Sequence, residues 1–332
     1  MNNVLAEKNV LLICPKFFNY HVEIRNALEK LGAKVDYFDE RPSNTTIVKA
    51  LLRVNKKFVY HRIKSYYDDI LGRICDKKYD YILIIKPEAI PQKVIEKLRV
   101  MNPNAKIVIE IWDSIANNKE AEEKIRLADK AFSFDPRDCE KYNMNFRPLF
   151  YIEKYNEISM KHEKFKFDLL FVGTVHSDRY KILKNVEKKL SDEGYRVYYY
   201  MYIPSKALYF IRKILFKEFS KSRTYEFKFT PISQDDVASL VSKSKVIMDI
   251  QHPKQVGLTM RTIEMLGANR KIITTNTNVE EYDFYNKSNI CVVDREMKNI
   301  DIDFLKSEYV PINDIVKEKY SIESWVKELL IW

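Results

Sequence analysis

Hydrophobic and polar positions change period repeatedly along this chain, and each change marks an element. Residues 9–15 (NVLLICP) are apolar almost without interruption, as in a buried strand, and residues 21–31 return to helical spacing before Gly32. The same alternation predicts a strand over 34–39, a basic helical stretch over 46–75 and a strand over 79–86. It continues with a helix over 91–101, a strand over 106–112, a helix over 119–128 and a short strand over 130–134. A polar connector follows over 153–166, and the pattern begins again. Strands are expected over 167–173, 196–201, 225–230, 245–250, 271–276 and 289–294, and helices over 179–192 and 234–242 and at the start of 255–276. Strands that are apolar throughout and alternate with helices belong to a parallel sheet covered on both faces. The expected class is α/β, with two Rossmann-like doubly wound parallel-sheet domains facing across a cleft. Their expected bounds are 1–155 and 156–318, with a C-terminal helix over 319–332 that packs back on the first domain.

The chain is organised around residues 255–276, QVGLTMRTIEMLGANRKIITTN. Gly257 supplies a turn where backbone can approach a ligand, and Leu258, Met260, Ile263 and Leu266 give the following helix an apolar face. Gly267 is read as the residue that ends that helix. The first N–H groups of a helix have no internal partner and lie at its positive end, so the turn from Gly257 to Arg261 is a candidate anion cradle. Arg261 adds a forked donor suited to phosphate. Glu264, three residues on and on the same face, can accept the hydroxyls of a ribose. The plainer alternative is a surface helix carrying an ordinary Arg/Glu pair.

The composition narrows the class. At 332 residues, 46% hydrophobic and 31% charged, this is a folded chain long enough for two cores. No stretch reaches the length of a membrane span and no secretory signal pattern opens the chain, so a cytoplasmic location is expected. Cys14, Cys75, Cys139 and Cys291 are scattered without metal-ligand spacing and read as reduced thiols. The net charge of +10 implies an anionic partner. With six glycines in all and no P-loop, GxGxxG, HExxH or Ser/His/Asp order, a nucleoside triphosphatase or a nicotinamide dehydrogenase is disfavoured.

Ligands of doubly wound sheets bind at the carboxyl ends of the strands. There the second domain offers Gly173, Thr174 and Arg179 after its first strand and Thr275 and Asn276 later on. His176 and Asp178 lie in the same turn, where Asp178 is read as a helix cap. The first domain offers His21, Glu88 and Asp113 at strand ends, the residue types of a general base, with Asp113 and Glu88 ahead of a lone His that more simply solvates its helix.

The segments FDLLFVGTVHSDRY, GLTMRTIEMLGANRKIITTN and VEEYDFYNKSNICVVD resemble the second domain of bacterial glycosyltransferases of the GT-B fold. The likeness is to the lipopolysaccharide-core and capsular-polysaccharide transferases related to the CgeB-like proteins, and IIKPEAIP, IEIWDS and FSFDPRDCEKY of the first domain fit it too. The resemblance implies a nucleotide-sugar donor in the second domain, at Gly173, Thr174, Arg179, Gly257, Arg261, Glu264, Thr275 and Asn276. It implies a glycan or lipid-linked glycan acceptor in the first. Related retaining enzymes carry two glutamates eight residues apart. Here Val256 stands where the first would fall, so only the ribose glutamate, Glu264, carries over and the stereochemical outcome stays open.

No cofactor and no metal are expected, since no Asp-x-Asp follows an apolar strand, and Asp68-Asp69 and Asp235-Asp236 lie in helical contexts. Two other readings stand beside glycosyl transfer: a sugar-nucleotide epimerase of the same architecture, and a non-enzymatic protein that binds membrane or nucleic acid. No nucleic-acid motif supports a nucleic-acid partner, and the oligomeric state is not encoded. Residues 47–64 and 206–221 are cationic and apolar at helical spacing. In the second stretch Leu208, Ile211, Leu215 and Phe219 share a face that either enters the core or lies on an anionic membrane surface. Peripheral membrane association is the expectation, with the first stretch as the contact.

Overall fold

The computed structural model describes residues 3–43, 60–115, 120–161, 164–253, 255–297 and 300–332. The chain forms two compact units: the first comprises Met1–Pro148 and Ile322–Trp332, the second Leu149–Ser321.

In the first unit, strands β1 (Asn9–Ile13), β2 (Lys34–Phe38), β3 (Tyr81–Ile85), β4 (Lys106–Ile111), β5 (Lys130–Ser133) and β6 (Asn145–Phe146) form one sheet in the order β2-β1-β3-β4-β5-β6. Every pairing is parallel, with Val10 facing Val35 on one side and Tyr81 on the other. β3 (YILII) and β4 (KIVIEI) are buried on both faces, as their apolar residues require, and Glu110 is buried with them. The covering helices are α1 (Tyr20–Lys30), α2 (Tyr60–Arg73), α3 (Gln92–Met101), α4 (Ala121–Ile125) and α5 (Pro136–Tyr142). In α3, Val94, Ile95 and Leu98 form the buried stripe.

The second unit repeats the plan. Its strands β7 (Phe167–Thr174), β8 (Val197–Tyr202), β9 (Phe227–Lys228), β10 (Ser244–Asp249), β11 (Lys271–Thr274) and β12 (Ile290–Val292) lie in the order β12-β11-β10-β7-β8-β9, again all parallel. Its helices are α6 (Glu153–Ser159), α7 (Arg179–Ser191), α8 (Lys206–Leu215), α9 (Gln234–Ser242), α10 (Met260–Gly267), α11 (Ile302–Lys306) and α12 (Asp314–Glu318). The last helix, α13 (Ile322–Leu330), belongs to the first unit and packs on α1. In both sheets the chain builds outward in one direction and then returns to the other side of its first strand. The reversals fall between β1 and β3 and between β7 and β10, where loops leave the two carboxyl ends in opposite directions and open a crevice.

Three local expectations change, and the reason for a fourth is refined. Residues 153–159 form α6 instead of a polar connector, because Tyr155 and Ile158 are one helical step apart and both buried. The strand expected over 225–230 shrinks to β9, preceded by a 3-10 turn over Thr224–Glu226. Gly267 is the last residue of α10, as expected, but glycine is required there by the Tyr151 ring, which an added Cβ would approach to 2.5 Å, and the left-handed residue that turns the chain is Asn269 at φ 50°. The helix expected over 119–128 is the shorter α4. Of the two cationic stretches, most of residues 47–64 lies outside the described residues.

Candidate functional site

At the β7/β10 reversal the end of β7 and the end of β10 are bridged by a guanidinium. Arg179, the first residue of α7, donates from Nε to the Ile250 carbonyl at 2.8 Å and from Nη1 to the Thr174 carbonyl at 2.9 Å. Gly173 lies against both: a Cβ there would crowd the Phe171 ring at 3.0 Å and reach only ordinary contact with Arg179 Nη1 at 3.6 Å. Gly173, Thr174 and Arg179 are thus brought into one contact group.

Asp178 occupies the cap position of α7, but its side chain makes no capping bond. It accepts two bonds from Arg295, both at 2.7 Å, and that guanidinium holds its carboxyl below the usual range. The capping expectation is therefore corrected: an ion pair to the loop after β12 replaces a local bond. Arg295 also donates to the Gln251 carbonyl at 3.3 Å and to Thr275 Oγ1 at 3.4 Å, and Thr275 exchanges side-chain and backbone bonds with Gln251. One network therefore ties the loops that follow β7, β10, β11 and β12. Asn276 is buried and works behind this edge: its Nδ2 donates to the carbonyls of Val256 at 2.9 Å and Gly257 at 3.4 Å, which fastens the turn before α10.

The start of α10 is fixed by Asp249, the last residue of β10. Its Oδ2 accepts the hydroxyls of Thr259 at 2.9 Å and Thr262 at 2.8 Å, while Thr259 caps the helix through the Thr262 N–H. Arg261 and Glu264 form a second group in the same helix, with Nη1 to Oε2 at 2.9 Å and Nη1 to the Tyr155 hydroxyl at 3.4 Å. Glu264 is only 3% exposed. The surface-helix alternative therefore fails, since residues 262–267 are all buried. His176 sits in the same turn as Asp178, its ring 5.7 Å from that of His252. Burial, then Arg179, His252 and Arg212, push its pKa down to about 4, so at neutral pH it is an uncharged donor and acceptor. Arg212, from α8, donates to the Val175 carbonyl. The edge thus gathers Arg179, Arg212 and Arg295 around oriented backbone and a neutral imidazole. Asp249, Gln251, Arg212 and Arg295 were not singled out from sequence. The positions of Asp249 and Arg295, at or just after a strand end, are the signal that finds them.

The carboxyl edge of the first sheet is built differently. Lys86, at φ 53°, ends the β3 turn with its Nζ 2.5 Å from Asp113 Oδ2 and 3.6 Å from Glu88 Oε1. Arg41 holds the other oxygen of Glu88 at 2.5 Å. Buried Glu40 accepts the Ala89 and Ile90 N–H groups, the latter at 2.8 Å, and Lys124 donates to the Pro87 carbonyl at 2.8 Å. Burial pushes the Glu40 carboxyl up to about 7 against the pull of those amides and of Lys124 and Arg41. Glu88 and Asp113 therefore share one lysine, and Asp113, with a side chain 48% exposed, is the one open to a solute. His21 joins neither: its ring packs 5.1 Å from Tyr37, and burial and Lys16 lower its pKa.

No protein-family profile matches the chain, and no curated protein sequence does either. Solved structures do. The chain is similar to an α-glucosyltransferase determined with UDP and a 13-mer DNA, at TM-score 0.64 and 15% identity over 98% of this chain and 95% of that one. It is similar to sucrose-phosphate synthase from Thermosynechococcus elongatus, at 0.58 and 12% over 98% and 96%, and to HepE from Anabaena with UDP-glucose, at 0.58 and 10% over 97% and 98%. At these identities the likeness establishes the fold, and the fold is the α/β architecture of two parallel-sheet units expected from the sequence, with the short β6 added to the first sheet.

Proposed function

We propose that this protein is a glycosyltransferase that binds a nucleotide-sugar donor through its diphosphate at the carboxyl edge of the second sheet. The observation that carries the reading is the Arg179 guanidinium laid across the β7/β10 reversal, with Arg295 and Arg212 beside it and Asp249 fixing the start of α10. Charge that develops on the departing diphosphate is stabilised there by preorganised donors, and no metal is required. Neighbouring folds solved with UDP and UDP-glucose support a uridine nucleotide as the first donor to try.

In the first unit Asp113 is the base. It takes the proton of an acceptor hydroxyl as the oxygen forms its bond to the anomeric carbon and the bond from that carbon to the diphosphate breaks. Such a single displacement inverts the carbon. Lys86 and Glu88 position Asp113, and the resemblance of the sequence to envelope-glycan transferases supports a lipopolysaccharide, capsular or lipid-linked glycan acceptor. Work at the cytoplasmic face of the membrane follows from that acceptor. Among the described residues no helix is long and apolar enough to cross a membrane.

The test is release of nucleoside diphosphate from a panel of nucleotide sugars, with and without envelope glycan acceptors and with EDTA. Release that needs acceptor and survives EDTA is expected. Conversion of the nucleotide sugar without any acceptor would assign an epimerase instead, and activity lost to EDTA and restored by manganese would contradict metal-free catalysis.

A further inference from the structure

Helix α8 presents its apolar residues to solvent. Its inner side is fastened by Tyr209, which is buried and donates to the Ser222 carbonyl at 3.0 Å, by Arg212 on the Val175 carbonyl, and by Lys213 on the Ser222 carbonyl at 2.8 Å. Ser205 caps its start by accepting the Leu208 N–H at 3.1 Å. Ala207, Phe210, Ile211, Ile214 and Leu215 recur at the spacing of one helical face and all point outward. Phe210 is 52% exposed, Ile214 83% and Leu215 69%, and Phe216 extends the strip beyond the helix. The sequence expectation that Ile211 and Leu215 share a face with Leu208 and Phe219 is thereby corrected: Phe219 is buried, stacked on Tyr180 and Phe227, while Ile211 and Leu215 face water.

Contiguous apolar surface of this kind is unfavourable in water and marks a surface with an occupant. The charges around it say which. Residues 206–223 carry Lys206, Arg212, Lys213, Lys217, Lys221 and Arg223 against the single acidic Glu218. Of these, Lys206, Lys217, Lys221 and Arg223 are exposed and flank the strip at both ends. Aromatic and branched aliphatic side chains framed by cations fit the boundary between acyl chains and anionic headgroups. We propose that α8 is a membrane-docking wedge of the second unit: Phe210, Ile211, Ile214, Leu215 and Phe216 enter the interface, and the flanking lysines engage anionic lipid. The helix is folded and capped before it meets lipid, so docking does not have to order it. The inference stands on the surface of α8 and is independent of which reaction the sheet edges perform.

The experiment is flotation of the full chain with vesicles of phosphatidylcholine alone and of phosphatidylcholine with phosphatidylglycerol, at low and high salt. Binding only to the anionic vesicles, weakened by salt, is expected. Ile214→Glu/Leu215→Glu should weaken it by tenfold or more while leaving thermal unfolding and nucleotide binding unchanged, since both side chains lie in water. Lys217→Glu/Lys221→Glu tests the charge: at about fivefold per cation, a loss of roughly twenty-fivefold or more follows. Absence of wild-type binding to anionic vesicles at low salt overturns the proposal. So does binding that survives both α8 variants and is lost only on Lys49/Lys56/Lys57→Glu, or self-association, without vesicle binding, that Ile214→Glu/Leu215→Glu abolishes.

Discussion

The two sheets share one topology and differ in what they place at the reversal. Beyond the carboxyl ends of β2, β3 and β4 the first presents carboxylates, Glu40, Glu88 and Asp113, each close to a basic side chain or accepting backbone amides. At β7/β10 the second presents guanidinium groups bonded to backbone carbonyls, with an uncharged imidazole among them. The crevice comes from the order of the strands; its chemistry comes from a few residues at their ends. On the proposed function, the carboxylate edge handles protons and the arginine edge holds anions. Separating the two functions by substitution is the way to break or sharpen this contrast.

The largest separation is expected at Asp113. If it is the base, Asp113→Asn lowers the rate of transfer by about 10²- to 10⁴-fold and leaves nucleoside diphosphate affinity unchanged. Equal loss of both would mean that the acidic edge is not confined to proton transfer.

Arg179→Ala comes next. It leaves the Ile250 and Thr174 carbonyls without their cationic donor, and with each such bond worth roughly 1.5 to 3 kcal/mol, urea unfolding should show a loss of about 3 kcal/mol. A change within about 0.5 kcal/mol would place Arg179 among ordinary surface residues and remove the structural basis of the arginine edge.

The smallest effects are opposite pH dependences. His176 titrates near 4 in the folded chain, below its ordinary 6.5, so the folded state binds fewer protons between those values. The stability it contributes is complete above pH 6.5 and is lost as pH falls toward 4. Glu40 is raised from 4.5 to about 7, so its contribution is complete below pH 4.5 and is lost as pH rises through 7. Thermal unfolding from pH 4 to 8 should show His176→Gln losing the acid-side decline and Glu40→Gln losing the decline toward neutrality. Profiles parallel to the wild type in both variants would contradict the assignment.

Much of the architecture is legible in sequence because the central strands are apolar on both faces and can only lie inside a covered parallel sheet. What escapes is set by contacts between distant residues. Gly267 reads as a helix terminator and is the last residue of α10, but what demands glycine there is the ring of Tyr151, which no local pattern relates to it. Asn276 reads as a sugar contact from its place at a strand end, but its amide is spent on the Val256 and Gly257 carbonyls. The period of α8 announces an apolar face without saying on which side the domain lies. Glu110 is more extreme: it stands plainly in the β4 sequence, but nothing local says that its carboxyl is buried with neither oxygen hydrogen-bonded, so that burial pushes its pKa far up, opposed by Arg147. Arg261 and Glu264 are legible as a pair on one face, while the Arg261 contact with Tyr155 depends on α6, whose sequence reads as a polar connector.

The central claim is that the arginine edge of the second sheet, together with Arg261 at the start of α10, holds a nucleoside diphosphate, and titration calorimetry measures it directly. Uridine, guanosine, cytidine and adenosine diphosphates titrated into the wild-type chain, Arg261→Ala and Asp113→Asn should give saturable binding of at least one nucleotide. Removing a charge-assisted phosphate contact costs roughly 1.5 to 3 kcal/mol, so Arg261→Ala should bind tenfold or more weakly while Asp113→Asn binds as the wild type does. Absence of heat with all four nucleotides, or binding that Arg261→Ala leaves unchanged, would contradict the account.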